Sequence, residues 1–168
     1  MKFKFILIVF SSLFVLSCAS LNSGPVSTND FFVEKVVNVS NQSKNDIYIK
    51  ANEWFVKTFV SAESVIEFQD KEEGKILGKY VFNRPYKNYN HAFRQVISID
   101  VQDNKARIQI SDPYFKVTST TGGLYGSRPV IAEYEQLTSQ KGYDLVKDEW
   151  DGLINDFKNA INKGKTSW

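Results

Sequence analysis

The sequence predicts an α+β domain in which two helices pack on one face of an antiparallel sheet of about five to six strands, in the order β-α-β-β-β-β-α. Three observations carry this. Between Val65 and Val117 apolar and polar residues alternate with the period of a half-buried strand, and turn residues separate the runs. On either side, at Ile47–Phe59 and Tyr143–Ile161, the period becomes that of an amphipathic helix. Glycine, asparagine and proline then mark where one element gives way to the next.

The chain opens with Lys2 and Lys4, an apolar run from Phe5 to Leu16 broken only by Ser11 and Ser12, and the small residue Ser17 before Cys18, its one cysteine. This is the layout of a secretory signal over residues 1–17. The run is shorter than the ~20 apolar residues that span a bilayer. Val15-Leu16-Ser17-Cys18 resembles a bacterial lipobox, which implies that Cys18 receives diacylglyceryl and palmitate-type acyl groups and becomes the first residue of the mature chain. A lone cysteine forms no intrachain disulfide. Each buried methylene contributes ~0.8 kcal/mol, so several acyl chains together anchor a protein stably. Residues 18–30 are small and polar, as a tether should be. A single domain is expected over 31–164, with a short tail at 165–168. No acidic run follows Cys18, so the expected location is the outer membrane, facing the periplasm.

Two of the 21 basic residues, Lys2 and Lys4, belong to the signal, which leaves the remainder balanced against 19 acidic ones. Nucleic-acid binding needs clustered lysine and arginine, so this balance argues against it.

Phe31 to Val39 reads as the first strand, with imperfect alternation that leaves its buried face open. In the first helix Ile47, Ala51, Trp54, Phe55 and Phe59 form the apolar stripe, and Ser43 is the candidate N-cap. Val65 to Phe82 predicts a hairpin turning at Asp70-Lys71-Glu72-Glu73-Gly74, with Ile66, Phe68, Ile76, Gly78, Tyr80 and Phe82 on the apolar side. Gly78 leaves space on that face, and Trp54 is the expected occupant. Arg84 to Phe93 reads as an aromatic loop because of Pro85 and its asparagines. A second hairpin places Ile97, Ile99, Val101, Ala106, Ile108 and Ile110 inward around Asp103-Asn104. Asp112-Pro113 should interrupt pairing, with Tyr114 to Thr118 resuming either as a continuation or as a further edge strand. Ser119 to Pro129 is expected as a glycine-rich loop, and Val130 to Gly142 is open between strand and helix. The last helix buries Tyr143, Val146, Trp150, Leu153, Ile154, Phe157 and Ile161 and stops at Gly164.

The run Ala51-Asn52-Glu53-Trp54-Phe55-Val56-Lys57-Thr58-Phe59, followed by Ser64–Asp70 and Gly74–Gly78, resembles a domain of unknown function assigned a TATA-binding-protein-like (TBP-like) fold and found in bacterial envelope lipoproteins. The resemblance covers roughly residues 32–117. It implies fold and location, and that family has no established catalytic residues to carry over. Function resides in sites rather than folds, so the fold's name implies nothing about DNA.

The sequence offers no catalytic constellation, metal site or cofactor motif. His91 is the one histidine and has no partner at recognisable spacing. Gly122-Gly123-Leu124-Tyr125-Gly126 lacks the Lys-Ser/Thr of a phosphate loop, and Glu72 and Glu73 lack a full calcium pattern. The best candidate binding residues are Tyr86, Tyr89, His91 and Phe93, because aromatic faces stack on sugars and anchor protein interfaces. Packing over one end of the sheet is the competing role for them. The reading is a non-enzymatic envelope lipoprotein, a binding or accessory module held to the membrane by its lipid and meeting an envelope protein or glycan. The alternatives are a hydrolase using His91 with Asp100 or Asp112, and a carrier of a small apolar ligand beneath the helices.

Overall fold

The computed structural model describes residues 31–60, 64–86, 89–120 and 132–163; the signal, Cys18, the tether, most of the glycine-rich segment and the tail fall outside them. The described elements run β1 (Val33–Asn38), α1 (Lys44–Thr58), β2 (Val65–Asp70), β3 (Lys75–Tyr86), β4 (Tyr89–Gln102), β5 (Lys105–Thr120), β6 (Glu135–Gln136) and α2 (Gln140–Asn162). All strand pairings are antiparallel, and the sheet has the order β1-β5-β4-β3-β2 with β6 on β5 beyond β1. This is the expected α+β architecture.

The alternating isoleucines set the register of the central strands. Ile97 faces Ile110, Ile99 faces Ile108 and Val101 faces Ala106 across β4 and β5, and none of the six is more than 1% exposed. Burying an isoleucine fully contributes about 1.5–3 kcal/mol, and a slip of one residue would turn the whole set to solvent. Both helices cover this inner face. Among the described residues the hydrophobic core lies between Phe31 and Ile161.

The β4–β5 turn also places α1. Asn104 adopts φ 63°, and its backbone carbonyl accepts from Val39 while its N–H donates to Gln42 O. Asp103 Oδ1 accepts from the Lys44 backbone N–H at 2.7 Å, which puts a carboxylate at the positive end of α1. Ser43 is the N-cap, its Oγ accepting from Asp46 N at 3.1 Å. Beside the same turn Lys50 Nζ donates to Gln42 Oε1 (2.8 Å) and to the carbonyls of Ile161 (3.1 Å) and Lys163 (2.6 Å), so a side chain of α1 closes the C-terminus of α2.

The first hairpin departs from expectation on two points. Its turn is as read, with Gly74 at φ 73°. A bulge at Glu67, however, puts Phe68 opposite Leu77 and Gln69 opposite Ile76. The extra residue inverts the alternation. Phe68 therefore points away from the helices and is 47% exposed, while Gln69 turns inward and donates to Asn52 of α1 at 2.6 Å. The space at Gly78 is filled by Phe59 and Phe55, not by Trp54. Trp54 instead turns toward α2, edge-on to Phe157 at 5.1 Å and donating to Asp156 Oδ2 at 2.8 Å.

β5 runs straight through the expected break at Asp112-Pro113. The two residues form a bulge opposite Gln95, with Asp112 at φ 52°. In the region left open, β6 occupies Glu135–Gln136, and α2 starts at Gln140 behind the N-cap Ser139.

A methyl group added at Gly78 would come within 2.6 Å of Phe59 Cε2 and 2.8 Å of the Val65 carbonyl oxygen. Since the backbone oxygen is fixed by pairing, Gly78→Ala is expected to destabilise the fold by about 1–3 kcal/mol in urea titration. An unchanged midpoint would mean that α1 does not press on β3 there.

Candidate functional site

The segment Arg84 to Phe93, expected as a loop, is sheet. Pro85 pairs with Asn90, Arg84 with His91 and Tyr86 with Tyr89, and only residues 87 and 88 at the tip lie outside the described residues. β2 pairs with β3 no further than Lys79, so β3 has become an edge strand before Pro85 is reached. An edge is where a sheet accommodates proline, because the position of the missing N–H can face the side that has no neighbouring strand.

Alternation then brings Tyr80, Phe82, Arg84 and Tyr86 of β3 to the inner face, beside Tyr89, His91, Phe93 and Gln95 of β4 and Phe115 of β5. Their rings form a continuous file. Phe59 meets Tyr80 at 5.6 Å, Tyr80 meets Phe82 at 6.0 Å, and Phe82 stacks on Phe93 at 5.2 Å. His91 ends it, with the rings of Tyr86, Tyr89, Phe93 and Phe115 at 5.9, 6.4, 6.0 and 6.2 Å.

Three residues of α2 at four-residue spacing fasten the helix along this extension. The Tyr80 hydroxyl donates to Glu149 Oε1 at 2.8 Å, and Arg84 Nη1 donates to the Leu145 carbonyl. Lys141 Nζ lies over the Tyr86 ring, 5.6 Å from its centre. Burial, together with the hydrogen bond to Glu149, pushes the ionisation of Tyr80 well above its ordinary range.

The four predicted residues thus come together, at different depths. Tyr89 is 44% exposed, Tyr86 is half-buried, His91 is 9% exposed and Phe93 is 1% exposed. Phe93 is part of the core and presents no surface. His91 Nδ1 and both amide atoms of Gln95 have no hydrogen-bond partner among the described residues, although Gln95 is fully buried. A buried polar group in that state costs about 1–3 kcal/mol. Gln95 and Arg84 were not singled out from sequence; inward alternation of a glutamine opposite Tyr80 was the available signal.

The pairing of His91 with Asp100 does not occur. Asp100 lies on the outer face, 2.9 Å from Arg107 Nη2, and Asp112 sits in the β5 bulge accepting from Ser111 Oγ at 2.9 Å. No group of three or more His, Cys, Asp or Glu able to hold a metal is present among the described residues. A groove of about 240 Å³ opens on the outer face between β1, β5 and β4, away from the helices and lined by Glu34, Val36, Asp100 and Arg107 among others. Among the described residues, the surroundings of His91 are the ring faces of Tyr86, Tyr89, Phe93 and Phe115.

Burial lowers the His91 pKa from its ordinary 6.5, and the nearby Tyr89 backbone opposes that only in part. The folded state therefore favours neutral His91. Its contribution to stability is complete above pH 6.5 and is lost as the pH falls from there toward the folded-state pKa, where the unfolded chain alone takes up the proton. Chemical denaturation over this range should show a smaller loss of stability on acidification for His91→Phe than for the wild type. Parallel profiles would show that His91 titrates alike in both states.

Comparison with known proteins follows the same lines. The family model described as "Domain of unknown function (DUF4468) with TBP-like fold" matches residues 34–116. Among solved structures, a DUF4468 family protein from Bacteroides ovatus ATCC 8483 is similar with a TM-score of 0.59 at 13% identity, covering 88% of this chain and 95% of that one. A TBP-like protein from Parabacteroides distasonis ATCC 8503 is similar with a TM-score of 0.53 at 14% identity, covering 76% and 92%. At such identities the likeness speaks for the fold. No curated protein matches the sequence. Residues 34–116 of the chain thus match the DUF4468 family of domains of unknown function, and the fold is the TBP-like fold of that family.

Proposed function

We propose that the protein is a non-enzymatic envelope lipoprotein, anchored through acylated Cys18, whose aromatic sheet end recognises an envelope protein or glycan. The observation that carries this reading is the cross-strand pair of Tyr86 and Tyr89 at the tip of the β3–β4 hairpin. An exposed tyrosine contributes a large contact area at low conformational cost, and here the strand below it is clamped by α2. The ring faces of Tyr86 and Tyr89 offer stacking surfaces to a sugar or an interface residue.

The anchor rests on the lipobox-like Val15-Leu16-Ser17-Cys18 and the small, polar residues after it. No helix among the described residues is long and apolar enough to cross a membrane. The reading assigns attachment to the acyl chains, whose summed burial holds a protein firmly.

Each half of the proposal has its own test. Cells expressing the full chain should incorporate an alkyne-palmitate label that Cys18→Ser abolishes, and the variant should pass from the detergent phase to the aqueous phase. Equal labelling of the variant would rule out acylation at Cys18. For recognition, a column of residues 19–168 should retain an envelope protein or glycan, with Tyr86→Ala and Tyr89→Ala each lowering the affinity by roughly tenfold or more. Retention unaffected by both substitutions, or no retained component at all, would remove the aromatic end as the recognition surface.

A further inference from the structure

The outer face of the sheet carries a second constellation, independent of the anchor and of the aromatic end. Arg94 of β4 lies directly across from Tyr114 of β5, with its guanidinium carbon 5.1 Å from the centre of that ring. The same guanidinium is 4.3 Å from the ring centre of Tyr134, just before β6, and Lys116 Nζ is over that ring at 4.5 Å. All four side chains are half-buried. Two cations therefore share one phenol ring on a rigid surface of three strands.

The backbone is arranged to make this possible. Arg94 pairs with Tyr114 because Asp112 and Pro113 together stand opposite the single residue Gln95, and this bulge requires Asp112 to adopt φ 52°. Such a conformation is unfavourable for a residue with a side chain. Without the extra residue, the partner of Arg94 would be Pro113 in place of Tyr114. Bulges commonly re-aim side chains in this way beside functional sites.

The state of Arg94 points to the ligand. Contact with tyrosine rings uses the π-face of the cation, and it leaves the planar fork of five N–H donors for other partners. No hydrogen bond or ion pair to these N–H groups is formed among the described residues. By contrast Arg107, on the same outer face, is held by Asp100 at 2.9 Å and Glu34 at 3.6 Å. A guanidinium that is oriented by rings, keeps its fork and has a second cation nearby is complementary to an oxyanion that presents two of its oxygens to paired N–H donors.

We infer that Arg94, Tyr114, Tyr134 and Lys116 form a phosphate-binding site on the outer face of the sheet. Arg94 holds two phosphate oxygens through paired N–H donors, the tyrosine rings fix its plane, and Lys116 supplies the second positive charge. The phosphate is that of a phospholipid headgroup or of a soluble phosphorylated molecule.

The test uses residues 19–168, which include the whole core and lack the acyl anchor, with two probes. Inorganic phosphate titrated into the wild-type protein is expected to shift the NMR signal of Arg94 Nε–Hε saturably. Vesicles containing phosphatidylglycerol should sediment the protein, whereas phosphatidylcholine vesicles should not, if the ligand is a lipid headgroup. A response to inorganic phosphate without sedimentation identifies a soluble phosphate, and either response supports the site. Arg94→Gln and the charge-preserving Arg94→Lys should both weaken the positive response by roughly tenfold or more, whereas Tyr134→Phe, which keeps the ring, should not. The proposal is overturned if neither probe moves the wild-type Arg94 signal, a readout that needs no variant to fold, or if folded Arg94→Gln responds as the wild type does.

Discussion

All 12 residues of β3 pair with β4 in a single register from Lys75–Asp100 to Tyr86–Tyr89, and the rest of the structure depends on that ladder. Because side chains alternate strictly while register is kept, every second residue of β4 from Tyr89 to Val101 is committed to the helices and the intervening ones to the outer surface. The inner set changes character along the strand. Ile97, Ile99 and Val101 lie over the aliphatic end beneath α1, and Tyr89, His91 and Phe93 extend the sheet past the end of β2. One continuous strand thus serves as core at one end and as a platform for aromatic rings at the other.

The helices divide the inner face between them. α1 is fixed where the β4–β5 turn meets its N-terminus, through Asp103 and Asn104, and it presses Phe55 and Phe59 onto Gly78. α2 buries Val146, Trp150, Leu153, Phe157 and Ile161, and its polar stripe of Lys141, Leu145 O and Glu149 fastens to Tyr86, Arg84 and Tyr80. Its apolar stripe supplies most of the burial, and the polar contacts set where it lies. Two of the three register shifts do the complementary work on the outer surface. One turns Phe68 out of the core, and the other brings Tyr114 opposite Arg94.

The aliphatic half of the fold was legible because its residues obey one period each. The isoleucines of β4 and β5 can face only one way, and the stripes of both helices need a common apolar surface. The aromatic half was misread as a loop because Pro85 and the asparagines are loop signals in any sequence, and only the length of β2 makes Pro85 an edge residue. Nothing in the sequence marks Glu67 as the site of a bulge, so Phe68 was placed inward. The start of α2 stays open in the sequence because glycine is a poor helix former, and at Gly142 a Cβ would come within 2.3 Å of Leu137 Cδ1. Trp54 lies on the predicted stripe of α1, but whether it meets the sheet or the other helix is decided by the arrangement of α1 and α2. Of the candidate site, the aromatic residues were visible as a composition. Gln95, Arg84 and Arg94 gain their meaning from neighbours distant in sequence, which no local pattern reveals.

Whether the aromatic end is sheet held beneath α2 is decided most directly by amide hydrogen exchange along β3 and β4. Continuous pairing predicts that the amides of residues 89–95 which donate to β3 or β5 exchange slowly, on a timescale approaching that of Ile97 and Ile99, and that weakening the α2 contact with Arg84→Ala accelerates the hairpin extension before the isoleucine core. Rapid exchange throughout residues 84–93 in the wild type, with protection beginning only at Ile97, would contradict it.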